Sequence, residues 1–166
     1  AALSSSWDEA LKLNKKIDVS INTLDDLNGI GESSIYLTVS GLSAENGDDG
    51  ETGRGNRPNG LITPQRPMTM EAAAGKNPVS HVGKLYNLVA AAVAQDIHQR
   101  CSLKEVYVTL VSKIGRPVNE PQIIDVAVLG HLNEDKRKII EKIVYKQLTN
   151  IPTLTKRIIA GKVRMF

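Results

Sequence analysis

The sequence predicts an α+β fold, a mixed β-sheet with helices packed on one face, from three observations. Apolar residues recur at helical spacing through Val82, Leu85, Val89, Val93 and Ile97. Two near-continuous apolar runs, 106–114 and 122–129, follow as strands. A second amphipathic stretch begins after Asn133, with Ile139, Ile140, Ile143, Val144 and Leu148 on one side. Extended and helical patterns thus alternate, which is the order that buries a sheet face against helices.

In chain order, residues 7–14 read as a short helix and 17–22 as an extended piece. A turn-rich stretch with Asp25, Asp26, Asn28, Gly29 and Gly31 comes next. Residues 34–41 alternate and are rich in β-branched side chains, the pattern of a strand. Residues 43–67 form a long connection without periodicity; such loops are uncommon in compact domains and usually carry function. Pro78 and Ser80 announce the helix that starts at Ser80 or His81 and runs to Arg100. Asn133 is placed to cap the next helix. Residues 153–162 read as a final short helix and 163–166 as a terminal strand. We divide the chain into 1–67, the end of one α/β subdomain with a glycine-rich loop, and 68–166, a C-terminal α/β subdomain.

Composition bounds the function. A chain of 166 residues with 41% hydrophobic and 23% charged residues can bury a core and falls among soluble globular proteins. Neither a signal-peptide pattern nor an apolar run near the ~20 residues of a membrane span is present. Cys101 is the single cysteine, so no internal disulfide forms, which agrees with a reducing cytoplasm. The net charge of +3 suits anions without indicating nucleic acid. Aromatics at 4% leave no stacking platform for bases, although a non-catalytic anion or nucleic-acid binding module stands as the alternative function.

The chemistry concentrates in two polar segments. In Gly47-Asp48-Asp49-Gly50-Glu51-Thr52-Gly53-Arg54-Gly55-Asn56-Arg57-Pro58-Asn59-Gly60, carboxylates, glycines and arginines alternate with no large apolar side chain. Glycines let the backbone approach a ligand, and Arg54 and Arg57 offer forked donors to phosphate oxygens. The spacing of an EF-hand loop is missing, which argues against calcium. About 20 residues on, Ala74-Gly75-Lys76-Asn77-Pro78-Val79-Ser80-His81-Val82-Gly83-Lys84 leads into a helix and adds Lys76, His81 and Lys84. Two anion-seeking segments beside a helix start suggest one polyphosphate site.

These segments, with the intervening Leu61-Ile62-Thr63-Pro64-Gln65-Arg66-Pro67-Met68-Thr69-Met70-Glu71-Ala72-Ala73-Ala74, resemble the C-terminal signature of S-adenosylmethionine synthetase (methionine adenosyltransferase) in its archaeal form. The resemblance extends over nearly the whole chain. It implies a three-subdomain fold in enzymes more than twice this length, so the sequence reads as their C-terminal portion, inactive alone and completed by the rest of its own polypeptide. It also implies ATP and L-methionine as substrates, Mg²⁺ and often K⁺ as cofactors, a cytoplasmic homodimer with shared active sites, and no membrane or nucleic-acid partner.

By the same resemblance Arg54, Lys76 and His81 are the catalytic positions, and Asp48, Arg54, Arg57, Lys76 and Lys84 bind ATP or its phosphates. Tyr36 and Leu37 pack on adenine; Asp48 and His81 meet methionine. The chain departs from the bacterial and eukaryotic pattern after Arg54, where Gly55 stands in place of a second cation and Arg57 is the candidate to supply that charge. It departs again at His81 and Gly83, near a family lysine and a magnesium-ligating aspartate. His81 takes the lysine's role on a phosphate or on the methionine carboxylate. The metal carboxylate is left to Asp48, Asp49 or the remainder of the polypeptide.

Overall fold

The computed structural model describes residues 25–26, 28–35 and 56–165. The chain divides into two compact units, Ala1–Leu37 and Thr38–Phe166. The expected helix at 7–14 and strand at 17–22 lie outside the described residues, as does the strand at 34–41 from Tyr36 onward.

In the first unit the Asp26 carboxylate accepts the Asn28 amide at 3.0 Å, an Asx turn that the Asp/Asn/Gly composition favours. A 3-10 turn, Glu32–Ser34, follows, and the Ser34 carbonyl accepts the Asp26 amide at 2.7 Å. Ser34, expected to open a strand, instead closes this turn.

Among the described residues of the second unit the first element is a hairpin of two-residue strands, β1 (Asn56–Arg57) and β2 (Gly60–Leu61), closed over Pro58 and Asn59. Then come helix α1 (Val82–Cys101), strands β3 (Glu105–Val111) and β4 (Ile123–Leu129), and helices α2 (Glu134–Thr149) and α3 (Ile151–Ile159). This is the α+β arrangement the sequence predicts, and pairing among the described strands is antiparallel throughout.

α1 organises the core. Leu85, Val89, Val93 and Ile97 are wholly buried at i, i+4, i+8 and i+12, one continuous stripe. Ile140, Ile143, Val144 and Leu148 from α2 and Ile151 and Ile158 from α3 close over that stripe. From the sheet, Val106, Val108 and Leu110 of β3 and Val126 and Val128 of β4 pack on the same cluster. Register sets these on one face, opposite Tyr107, Val111, Ile123 and Leu129, which are exposed. α1 ends where Ser102 turns left-handed (φ 48°) and sends Leu103 back into the core.

Two further expectations find their outcome here. Asn133 caps α2, its side-chain oxygen accepting the Lys136 amide at 2.9 Å. The terminal strand at 163–166 is absent among the described residues 163–165; Val163 and Met165 pack on the core without a sheet partner.

Because Ile97 is wholly enclosed by elements that cannot collapse onto it, Ile97→Ala should cost roughly 2–5 kcal/mol. Urea unfolding should show a lowered midpoint with an unchanged slope; a midpoint within error of the parent would place the core elsewhere.

Candidate functional site

The described cations of the second polar segment gather at the N-terminus of α1. Gly75 takes φ 78°, a left-handed turn that a side chain would strain, and so reverses the chain just before Lys76. The Asn77 side-chain oxygen then accepts the amides of Val79 at 2.7 Å and Ser80 at 3.4 Å, pinning the approach to the helix. Upstream, Ala72 and Ala73 are buried, small enough for residues 71–75 to lie close against the rest of the unit.

His81 caps α1. Its Nδ1 accepts the Gly83 amide at 3.0 Å, which in the neutral ring leaves the proton on Nε2 as a donor. The remaining first-turn amides and the helix dipole make this end favourable to an anion.

Lys76 extends its Nζ to within 2.9 Å of Glu71 Oε2; the lysine side chain is 17% exposed and the glutamate 58%. The hydrogen bond from Lys76 holds the Glu71 carboxyl below its ordinary range; partial burial opposes this, and Lys76, His81 and Arg57 add electrostatic pull. Lys84, one turn into α1, is buried. Desolvation, with Lys76 pushing in the same direction, lowers the Lys84 ammonium below the usual lysine range.

Arg57, expected to contact a phosphate, makes contacts to backbone carbonyls among the described residues. It is buried, and its Nε and Nη2 donate to the carbonyls of Thr69 at 2.9 Å and Met70 at 2.7 Å. The forked guanidinium therefore braces the strand-like stretch before Glu71, because bare carbonyls there lie within its reach.

An open groove of about 600 Å³ starts at Glu71 and Gly83 and runs between the small Ala90, Ala91 and Ala94 of α1 and strand β3. Of the predicted site residues, the structure brings Lys76, His81 and Lys84 together and sets Arg57 behind them. Asp48, Asp49, Arg54, Tyr36 and Leu37 lie outside the described residues. Glu71 was not among the expected site residues; its place five residues before Lys76 was the one signal of a pair. Asn87, whose Nδ2 donates to the Glu71 carbonyl at 3.4 Å, gave none.

No group of three or more His, Cys, Asp or Glu gathers among the described residues, and the carboxylate at the cluster, Glu71, is occupied by Lys76. No helix among them is long and apolar enough to cross a membrane.

Fold and cluster together describe an α+β protein with lysines set at a capped helix N-terminus. The chain belongs to the S-adenosylmethionine synthetase (AdoMet synthetase) family, whose model matches residues 3–162. It is 50% identical over 154 residues to the S-adenosylmethionine synthase of Methanocaldococcus jannaschii, covering 91% of this chain and 37% of that one. The corresponding figures are 50% over 155 residues for the synthase of Pyrobaculum neutrophilum, with 91% and 38% covered. For that of Archaeoglobus fulgidus they are 47% over 156 residues, with 92% and 38%. The chain thus spans well under half the length of these relatives.

Lys84 yields a prediction with a definite sign. Its folded pKa lies below its unfolded one, so the charged lysine costs stability at neutral pH, and the cost fades as pH climbs through the folded value toward the ordinary lysine range. Lys84→Met, which keeps the aliphatic stem, should raise the thermal midpoint at pH 7 and flatten its rise toward pH 10. Calorimetry across that range decides it; a lowered midpoint at pH 7 would mean that the ammonium contributes to the fold.

Proposed function

We propose that the polypeptide containing this chain is a methionine adenosyltransferase. It joins ATP and L-methionine to S-adenosylmethionine and cleaves the tripolyphosphate product to phosphate and diphosphate. The observation that carries the reading is the convergence of Lys76 and Lys84 on the His81-capped N-terminus of α1, in a chain of this family.

The chemistry asks for such a cluster. A lone pair on the methionine sulfur attacks C5′ of ATP, the C5′–O bond breaks, and the triphosphate leaves with the bonding electrons. A thioether becomes a sulfonium without losing a proton, so no general base is required. The demand is on the leaving group, which accumulates negative charge as the bond breaks. Fixed ammonium and guanidinium groups and helix amides stabilise that charge more in the transition state than in the ground state. Water then attacks phosphorus in the retained tripolyphosphate, and the same cations serve.

In this reading Arg54 and Lys76 contact the triphosphate and Lys84 adds charge from the first turn of α1. Arg57 holds the loop that carries Glu71. His81 offers Nε2–H to a phosphate or to the methionine carboxylate; Asp48 stands between methionine and nucleoside, and Tyr36 and Leu37 lie against adenine. Mg²⁺ and K⁺ come from the family resemblance, as does the cytoplasmic setting. The homodimer with shared sites likewise comes from the family resemblance; Tyr107, Val111, Ile123 and Leu129 are exposed on one sheet face, beside Glu105, Thr109 and Asp125, where a partner has access to them.

The assay is formation of S-adenosylmethionine from labelled methionine, ATP and Mg²⁺ by the complete polypeptide. Arg54→Ala and Lys76→Ala should each cut turnover roughly 10²-fold or more. Full turnover in both variants would remove the cationic cradle from the mechanism. The 166-residue chain alone should bind tripolyphosphate weakly and form no product; turnover by a homogeneous sample of it would show that the site is complete within these residues.

A further inference from the structure

Glu71 has no part in the reaction as written, yet its carboxylate sits among the cations. Oε2 is 2.9 Å from Lys76 Nζ. The same oxygen would lie 3.2 Å from a Cβ at position 83, and His81 Nδ1 would lie 3.1 Å from it. The carboxylate therefore rests against bare backbone in the first turn of α1, in space that Gly83 leaves open. Asn87 ties the Glu71 backbone to this helix from one turn further on. A carboxylate at a helix N-terminus beside a lysine occupies the kind of place that an anionic ligand takes.

We propose that Glu71 is the resident anion of this site, a positioning residue that holds Lys76 Nζ at the start of α1 and yields it to the incoming polyphosphate. The proposal rests on the reading of Lys76 as a polyphosphate contact. Exposure of the pair favours exchange. Glu71 is the wetter partner at 58%, so the ion pair is worth little against a multiply charged competitor. The carboxylate neutralises Lys76, the cation that pushes against the buried Lys84. The arrangement keeps two lysines near each other and directs one of them, at some cost in affinity, because the ligand must displace a carboxylate and then lie near it.

Calorimetric titration of tripolyphosphate into the complete polypeptide, in buffer without divalent cations, tests this with Glu71→Gln, Lys76→Ala and the double variant. Glu71→Gln should tighten binding by about fivefold, the upper range for an exposed pair. The gain should shrink in the Lys76→Ala background to the share that comes from removing a nearby negative charge, since no ion pair is left to exchange. A merely structural glutamate would give the opposite sign, because loss of a brace loosens the site. Unchanged or weaker binding by a folded Glu71→Gln, with Lys76→Ala still weakening it, would overturn the proposal and leave the phosphate reading standing. So would a Mg²⁺-dependent gain in affinity that the parent shows and Glu71→Gln lacks, which would make Glu71 a cation ligand. If Lys76→Ala binds as the parent does, the site reading itself fails and this inference falls with it.

Discussion

Burial of one stripe on α1 is the interaction on which the rest of the second unit depends. Leu85, Val89, Val93 and Ile97 face α2, α3 and the inner side of the β3–β4 hairpin at once. Wholly buried side chains of this size stabilise by roughly 1.5–3 kcal/mol each, so no other single element contributes as much apolar surface. Most of a helix's stability in a protein comes from tertiary packing of its apolar face. That packing fixes where its N-terminus lies, and the N-terminus is where His81, Gly83 and Lys84 present themselves to Lys76 and Glu71. A catalytic cradle needs placement to within a fraction of an ångström, which a loop on its own would not supply.

The cost of the cluster is visible in its charges. Lys84 is buried without an ion pair among the described residues, against the ordinary rule that buried cations are paired. Lys76 stands near it and deepens the penalty. Stability is given up at one helix end and supplied by the stripe behind it, the distribution that the proposed polyanion site calls for. Glu71 pairs with Lys76, and among the described residues no carboxylate pairs with the more deeply buried Lys84.

Legibility followed the range of each interaction. α1, the two strands and α2 were readable because their signals are periodic, and both helix starts were readable because caps are local: Asn133 acts three residues ahead and His81 two. The hairpin at 56–61 was hidden within a connection read as aperiodic. Strands of two residues have no period, and only Pro58-Asn59-Gly60 marked the turn. α3 starts at Ile151, earlier than expected, because Pro152 suits a first turn, where a missing amide costs nothing. Among the site residues, the grouping of Lys76, His81 and Lys84 was readable from one contiguous segment. The tasks of Arg57 and Glu71 were not. Each depends on a partner brought near by folding, carbonyls twelve and thirteen residues away for the arginine and an aperiodic turn for the glutamate. An arginine in a glycine-rich loop reads the same whether it faces phosphate or its own backbone.

That ambiguity shifts weight onto Arg54. A tripolyphosphate leaving group carries several negative charges, and the described cluster opposes to it Lys76, Lys84 and the more distant Arg57, less the carboxylate of Glu71. If Glu71 is displaced it remains nearby and still subtracts. Arg57, with its Nε and Nη2 on the carbonyls of Thr69 and Met70, cannot swing out without releasing the loop that carries Glu71 and leads to Lys76. The described cations are therefore too few to balance the ligand, and the helix dipole adds only about half a charge. In the proposed reaction the deficit has to be met by a guanidinium or metal ion approaching from elsewhere. Within this sequence the polar loop at 47–60 offers one such group, Arg54, flanked by glycines that would let its backbone come close.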